Sequence, residues 1–165
     1  MDLNSDQKKL VELFVRQEIL IGKLYKLFSY RYPEYNVFWT EMAMEERQHA
    51  SWIKRLSELD TTDKFKFSQG ELRSNDLASS IESIEGLISG VKNNREFSIT
   101  QAVSMALLLE KALWEKKVFQ CFEGDSDEVR RIMNTLNLEQ EFHIKKINKF
   151  ARQFLKKNCI ENDSQ

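Results

Sequence analysis

Apolar side chains recur along most of this chain at alternating steps of three and four residues, the spacing that lines one face of an α-helix. Val11, Phe14, Ile21, Tyr25 and Phe28 keep that rhythm and predict a first helix over about 4–30. Arg31-Tyr32-Pro33-Glu34 ends it, because proline disfavours helix in the residue before it. Trp39, Met42, Ile53 and Leu56 set a second seam, which starts near Asn36, a good N-cap residue. A polar stretch follows over about 60–75, and Ser74-Asn75-Asp76 then caps a shorter helix. That helix carries Leu77, Ile81, Ile84, Leu87, Ile88 and Val91 and closes at Lys92-Asn93-Asn94-Arg95. Ser98-x-x-Gln101 reads as a capping box for a helix with Val103, Ala106, Leu113 and Lys117 on its seam, ending near Glu123-Gly124-Asp125. The last helix spans about 127–157, with Met133, Leu136, Ile147, Phe150 and Phe154 inward; the polar residues from Asn158 are expected to fray.

Long helices in pairs, short loops within each pair and one long connection between pairs describe an all-α, antiparallel four-helix bundle whose crossover carries a short fifth helix. The expected domain covers 1–158, with 159–165 as a polar tail. Nothing in the chain alternates with the period of a strand.

Each long seam also places polar residues where leucine would be expected: Glu18 on the first, Glu46 and His49 on the second, Glu110 on the fourth, Gln140 and His143 on the last. Both histidines of the chain follow such a position by three residues, a spacing that stacks two side chains on one helical face. An unpaired carboxylate among apolar side chains is penalised by several kcal/mol, so four helices each carrying a polar residue near mid-seam need a common reason. A divalent cation supplies one, because it neutralises carboxylates and takes imidazole nitrogen directly. The competing reading is a metal-free network of protonated glutamates and salt bridges.

Composition narrows the classes. The net charge of -1 leaves no basic excess with which to neutralise phosphates, which argues against a dedicated nucleic-acid binder. The longest apolar run, about 102–109, falls well short of the ~20 residues of a membrane span. The start of the chain, Met1-Asp2-Leu3-Asn4-Ser5-Asp6, shows no secretory signal, so a cytoplasmic setting is expected. Cys121 and Cys159 form no CxxC pair, and the helix assignments put them near opposite ends of a helix pair; they read as free thiols. No Ser-His-Asp set, phosphate-binding glycine loop or HExxH motif is present. Trp39, Trp52, Trp114, Phe38, Phe119 and Phe122 read as core or subunit-interface aromatics, and Lys145-Lys146 and Lys156-Lys157 as solvated faces.

The polar set resembles the ferritin-like superfamily and, within it, the rubrerythrin-like proteins. There, two helices each give one glutamate and two others each give Glu-x-x-His to a pair of metal ions. Glu18 through Tyr25 to Glu45-Glu46-Arg47-Gln48-His49-Ala50 looks like the first half of that pattern; Leu109-Glu110-Lys111 through Gln140-Glu141-Phe142-His143 looks like a weakened second half. The resemblance implies Glu18, Glu46, His49, Glu110, Gln140 and His143 as metal ligands, with Tyr25 a hydrogen-bond donor behind them. The halves align as an internal repeat: Glu46 follows Glu18 by 28 residues and Gln140 follows Glu110 by 30. Tyr25 lies seven past Glu18, and Lys117 seven past Glu110, where the resemblance leads one to expect tyrosine.

Gln140 and Lys117 both make the second half less acidic. Three carboxylates cannot balance two divalent ions, whereas one ion and a protonated Lys117 would sum to zero with them. The expectation is two iron ions held weakly, or one held tightly with Lys117 near the second position; manganese or zinc are alternatives. Lys117 can also simply lay its stem on the seam and its amine in water. The resemblance implies an oxidoreductase acting on peroxide or dioxygen, fed by an external electron donor because the chain carries no rubredoxin-type cysteines. Iron storage without turnover and a metal-free interaction module with a decayed site are the other readings. The apolar crossover helix suggests a homodimer.

Overall fold

The computed structural model describes residues 5–58, 66–67, 74–115, 122–123 and 127–162. Five α-helices make up nearly all of the described chain: α1 (Ser5–Arg31), α2 (Asn36–Glu58), α3 (Ser74–Asn93), α4 (Ile99–Glu115) and α5 (Asp127–Asn162). The remainder includes a 3₁₀ turn, Pro33–Tyr35, and a two-residue antiparallel ladder in which Lys66 faces Glu123 and Phe67 faces Phe122. None of the described helices is long and apolar enough to cross a membrane.

The seams read from the sequence are the buried faces. Val11, Phe14, Ile21, Tyr25 and Phe28 of α1, Trp39, Met42, Ile53 and Leu56 of α2, Val103 and Ala106 of α4, and Met133, Leu136, Ile147 and Phe150 of α5 are all buried. α1 packs along α2 and α3, α4 along α5, and α2 against α5. Leu77, Ile81, Ile84 and Val91 of α3 are buried too, with α3 packed on α1, while Leu87 and Ile88 of the same helix are half-buried.

Two corners set the heights of the helices. At the first, Pro33 opens the 3₁₀ turn, and Asn36 is already helical (φ -55, ψ -43). Asn36 does not act as the expected N-cap; its amide donates to the Ser29 carbonyl at 3.0 Å and ties α2 back to α1. At the second, Ser98 and Gln101 close the expected capping box, with Ser98 N donating to Gln101 Oε1 at 2.7 Å and Gln101 N to Ser98 Oγ at 3.2 Å. The end of α1 clasps this second corner. Arg31 donates to the carbonyls of Val91 (2.9 Å), Asn94 (2.5 Å) and Phe97 (3.2 Å), and the Tyr32 hydroxyl to Phe97 O at 2.6 Å. The bond to Val91 satisfies a carbonyl in the last turn of α3, which has no helical partner, and the others tie down the connection to α4.

α1 and α2 approach closely at Gly22. A Cβ there would lie 3.2 Å from the Ala43 carbonyl and 3.3 Å from Glu46 Cβ. The contact sits beside the polar centre of the molecule. The expectation that α4 runs to about Glu123 is not met: α4 is described to Glu115, and Phe122–Glu123 form the ladder with Lys66–Phe67 instead of helix, while α5 stays helical to Asn162, past the Asn158 where fraying was expected.

Candidate metal centre

Four helices bring their polar seam residues into one buried cluster. α1 supplies Glu18 and, two turns on, Tyr25; α2 supplies Glu46 and His49; α4 supplies Glu110; α5 supplies Gln140 and His143. None of the seven is more than 5% exposed. The three-residue steps put Glu46 beside His49 and Gln140 beside His143 on inward faces.

Glu46 is the hub. Its Oε2 lies 3.2 Å from His49 Nδ1 and its Oε1 3.0 Å from His143 Nδ1. The two imidazoles stack with centroids 5.0 Å apart. Glu18 Oε2 approaches His49 Nδ1 at 3.6 Å, and Glu110 Oε2 approaches His143 Nδ1 at the same distance. Glu110 is held from both sides: the Tyr25 hydroxyl donates to Oε1 at 2.5 Å and the Gln140 amide nitrogen to Oε2 at 3.0 Å. Gln140 therefore turns its nitrogen, rather than the oxygen expected of a ligand, toward Glu110.

Burial and charge divide the acids. Burial, reinforced by the Glu46 charge against the pull of His49, pushes Glu18 up to about 8. Burial and the same charge raise Glu110, against His143 and Tyr25. Burial works on Glu46 in the same sense, but the two histidines outweigh it and hold Glu46 well below the usual carboxylate range. Burial disfavours a charged His49, yet Glu18 and Glu46 raise it to about 10. His143 is raised further still over its own burial, by Glu46 with Glu110 and Glu45. Burial and the carboxylate charges of Glu110 and Glu46 lift Tyr25 well above an ordinary phenol, so it remains a neutral donor. Without an ion the cluster is a carboxylate between two imidazoliums, with a protonated acid at its edge.

The residues fit a cation on two observations. Among the described residues, Glu18 Oε1, Glu46 Oε1 and His143 Nδ1 are buried without a hydrogen-bond partner, an arrangement native interiors rarely tolerate. Glu46 Oε1 and His143 Nδ1 are only 3.0 Å apart, yet they are not aligned for a hydrogen bond. Glu46, His49 and His143 also each offer one ligand atom, all within 4.8 Å of one another, and this cluster could hold a metal ion. Carboxylate oxygen with imidazole nitrogen suits iron, zinc or manganese.

One contributor has no assigned role in the sequence reading. Glu45 Oε2 lies 3.2 Å from the far nitrogen of His143, an ion-pair contact not aligned as a hydrogen bond, and Lys146 in turn donates to Glu45 Oε1 at 2.7 Å. A carboxylate behind a ligating imidazole fixes the ring and raises its basicity. The signal was present in the doubled acid of Glu45-Glu46 and in a lysine three residues after His143. Lys117 and Cys121 lie outside the described residues, as do the side chains of Cys159, Leu113, Trp114, Phe119 and Phe122, so the readings placed on them stand as expectations. Comparison with protein families, with characterised proteins and with solved structures finds no match to this chain.

Proposed function

We propose that the chain is a ferritin-like four-helix bundle of the rubrerythrin kind, whose buried carboxylate–imidazole cluster holds iron and acts on peroxide or dioxygen. The observation that supports this most is the convergence of Glu46, His49 and His143 with unpartnered ligand atoms, flanked by Glu18 and Glu110 from two further helices. When bound, iron supplies the electrons that break an O–O bond. The side chains do the rest. Glu46 lies between both imidazoles, Glu45 steadies His143, and Tyr25 with Gln140 fixes the two oxygens of Glu110. Burial excludes bulk water from all of them. Electrons come from an external donor.

The test is elemental analysis of protein purified without chelators, followed by ferrous titration and a peroxide-consumption assay. The expected outcome is at least one iron per chain and turnover that Glu46→Gln abolishes. Iron-loaded protein that leaves peroxide untouched would leave storage as the function. The direct His49–Glu46 and Gln140–Glu110 hydrogen bonds favour a second reading, a metal-free helical module. No metal above background, with a melting temperature indifferent to Fe²⁺, Mn²⁺ and Zn²⁺, selects it.

A further inference from the structure

Tyr25 also belongs to a line of aromatic rings that the ligand set does not require. Its ring centre lies 5.7 Å from that of Trp39 of α2. Trp39 lies 4.8 Å from Phe38 and 5.7 Å from Phe150 of α5, and those two stack at 4.0 Å. Phe150 meets Tyr35 edge-on at 5.2 Å. Tyr35 is half-buried, in the 3₁₀ turn at the α1–α2 corner. Rings in continuous contact thus lead from a hydroxyl bonded to Glu110 out to the rim of the molecule. Tyr25, Trp39 and Tyr35 are oxidisable; the phenylalanines fill the space between.

Trp39 is the member that packing alone does not explain. It is fully buried, and its indole N–H has no hydrogen-bond partner among the described residues. Buried tryptophans usually find an acceptor, and a stranded donor destabilises the fold. Phenylalanine would give aromatic contact without that cost.

We propose that Tyr25, Trp39 and Tyr35 form a one-electron relay between the buried cluster and the protein surface at the α1–α2 corner. The relay rests on the function proposed above, in which iron held by the cluster would supply the oxidising equivalent drawn from peroxide; its ring-to-ring steps need no metal. The oxidant removes one electron from Tyr25; the phenol O–H bond breaks and the proton passes to Glu110 Oε1, the atom already accepting it. Trp39 then gives an electron to the tyrosyl radical, and the proton returns from Glu110. With no acceptor for its N–H among the described residues, the oxidised indole keeps its proton and its charge, so it remains a strong oxidant and draws an electron from Tyr35. Tyr35 releases its proton to water, and an external one-electron reductant together with a proton from water restores it. The net transfer is one electron from that reductant to the cluster.

The test uses metal-free protein with a ruthenium polypyridyl photo-oxidant attached at Glu34→Cys, an exposed position beside Tyr35, in a Cys121→Ser, Cys159→Ser background. Flash oxidation is followed by transient absorption and by electron paramagnetic resonance of the trapped radical. A long-lived tyrosyl radical is expected, and Tyr25→Phe and Trp39→Phe are each expected to shorten its life about tenfold, equivalent to 1.36 kcal/mol in barrier. Trp39→Tyr, which keeps an oxidisable ring, restores it, and Tyr30→Phe, an exposed tyrosine off the line, changes nothing. Equal lifetimes in Trp39→Phe, Trp39→Tyr and the parent would overturn the relay. The assay contains no metal, so a failure to bind iron leaves its result intact.

Discussion

At the scale of single residues, Gln140 decides how acidic the centre is. Replacing it with glutamate sets a second acid 3.0 Å from the oxygen of Glu110 that it now donates to. Like charges at that range cannot both ionise cheaply. The metal-free Gln140→Glu protein is therefore expected to melt below the parent, and a saturating divalent metal is expected to reverse the order. Calorimetric titration should show affinity rising about tenfold or more, as a neutral ligand position becomes anionic; equal stoichiometry and affinity would refute the charge argument. Glu45→Ala tests the support behind His143, and the expected loss is about 10–100-fold in metal affinity. Six residues of the buried cluster were legible as polar interruptions of apolar seams, and the place of Tyr25 behind them was legible only through the family resemblance. The direction of the Gln140 amide was not, because spacing places a residue on a face and leaves its terminal torsion to its neighbours.

At the scale of elements, helix–helix distance is set where α1 gives up a side chain. Gly22→Val must push against the Ala43 carbonyl and Glu46 Cβ, both within 3.3 Å of a modest Cβ. Overpacking of this kind costs about 1–3 kcal/mol. The shift also carries Glu46 with it, so denaturant unfolding and metal titration should fall together; loss of stability with unchanged affinity would separate the hub from this contact. Glycine lowers helix propensity, so its place in α1 had no local meaning in the sequence. Helix existence, seams and the Ser98–Gln101 box were legible because they depend on neighbours within one or two turns. The Arg31 clasp, the reversed use of Asn36 and the Lys66–Glu123 ladder were not, because their partners lie far along the chain or in another helix.

At the scale of the whole molecule, proton binding links stability to the centre. Glu18 rises from 4.5 to about 8 and His49 from 6.5 to about 10 on folding. Both hold protons more tightly in the folded state, so their contribution is complete below the unfolded values and is lost as pH climbs through the folded ones. Glu46 acts at the other end; its contribution is present above 4.5 and is lost as pH falls below it. The metal-free protein should therefore melt lower at about pH 9 than at about pH 6. Metal binding needs deprotonated imidazoles, so the gain in melting temperature from a saturating metal should widen over the same interval. Parallel curves with and without metal would mean that the ion, if bound, avoids the histidines.

The bonds that complete the centre join positions far apart in the chain: Tyr25 to Glu110 across 85 residues, and Lys146 to Glu45 across 101. Contacts of that separation form late, after loop closure has been overcome. A chain emerging from the ribosome holds Glu18, Glu46 and His49 long before His143 exists to face them. Any ion the centre uses is thus captured after synthesis, by a finished protein competing for whatever metal its surroundings supply.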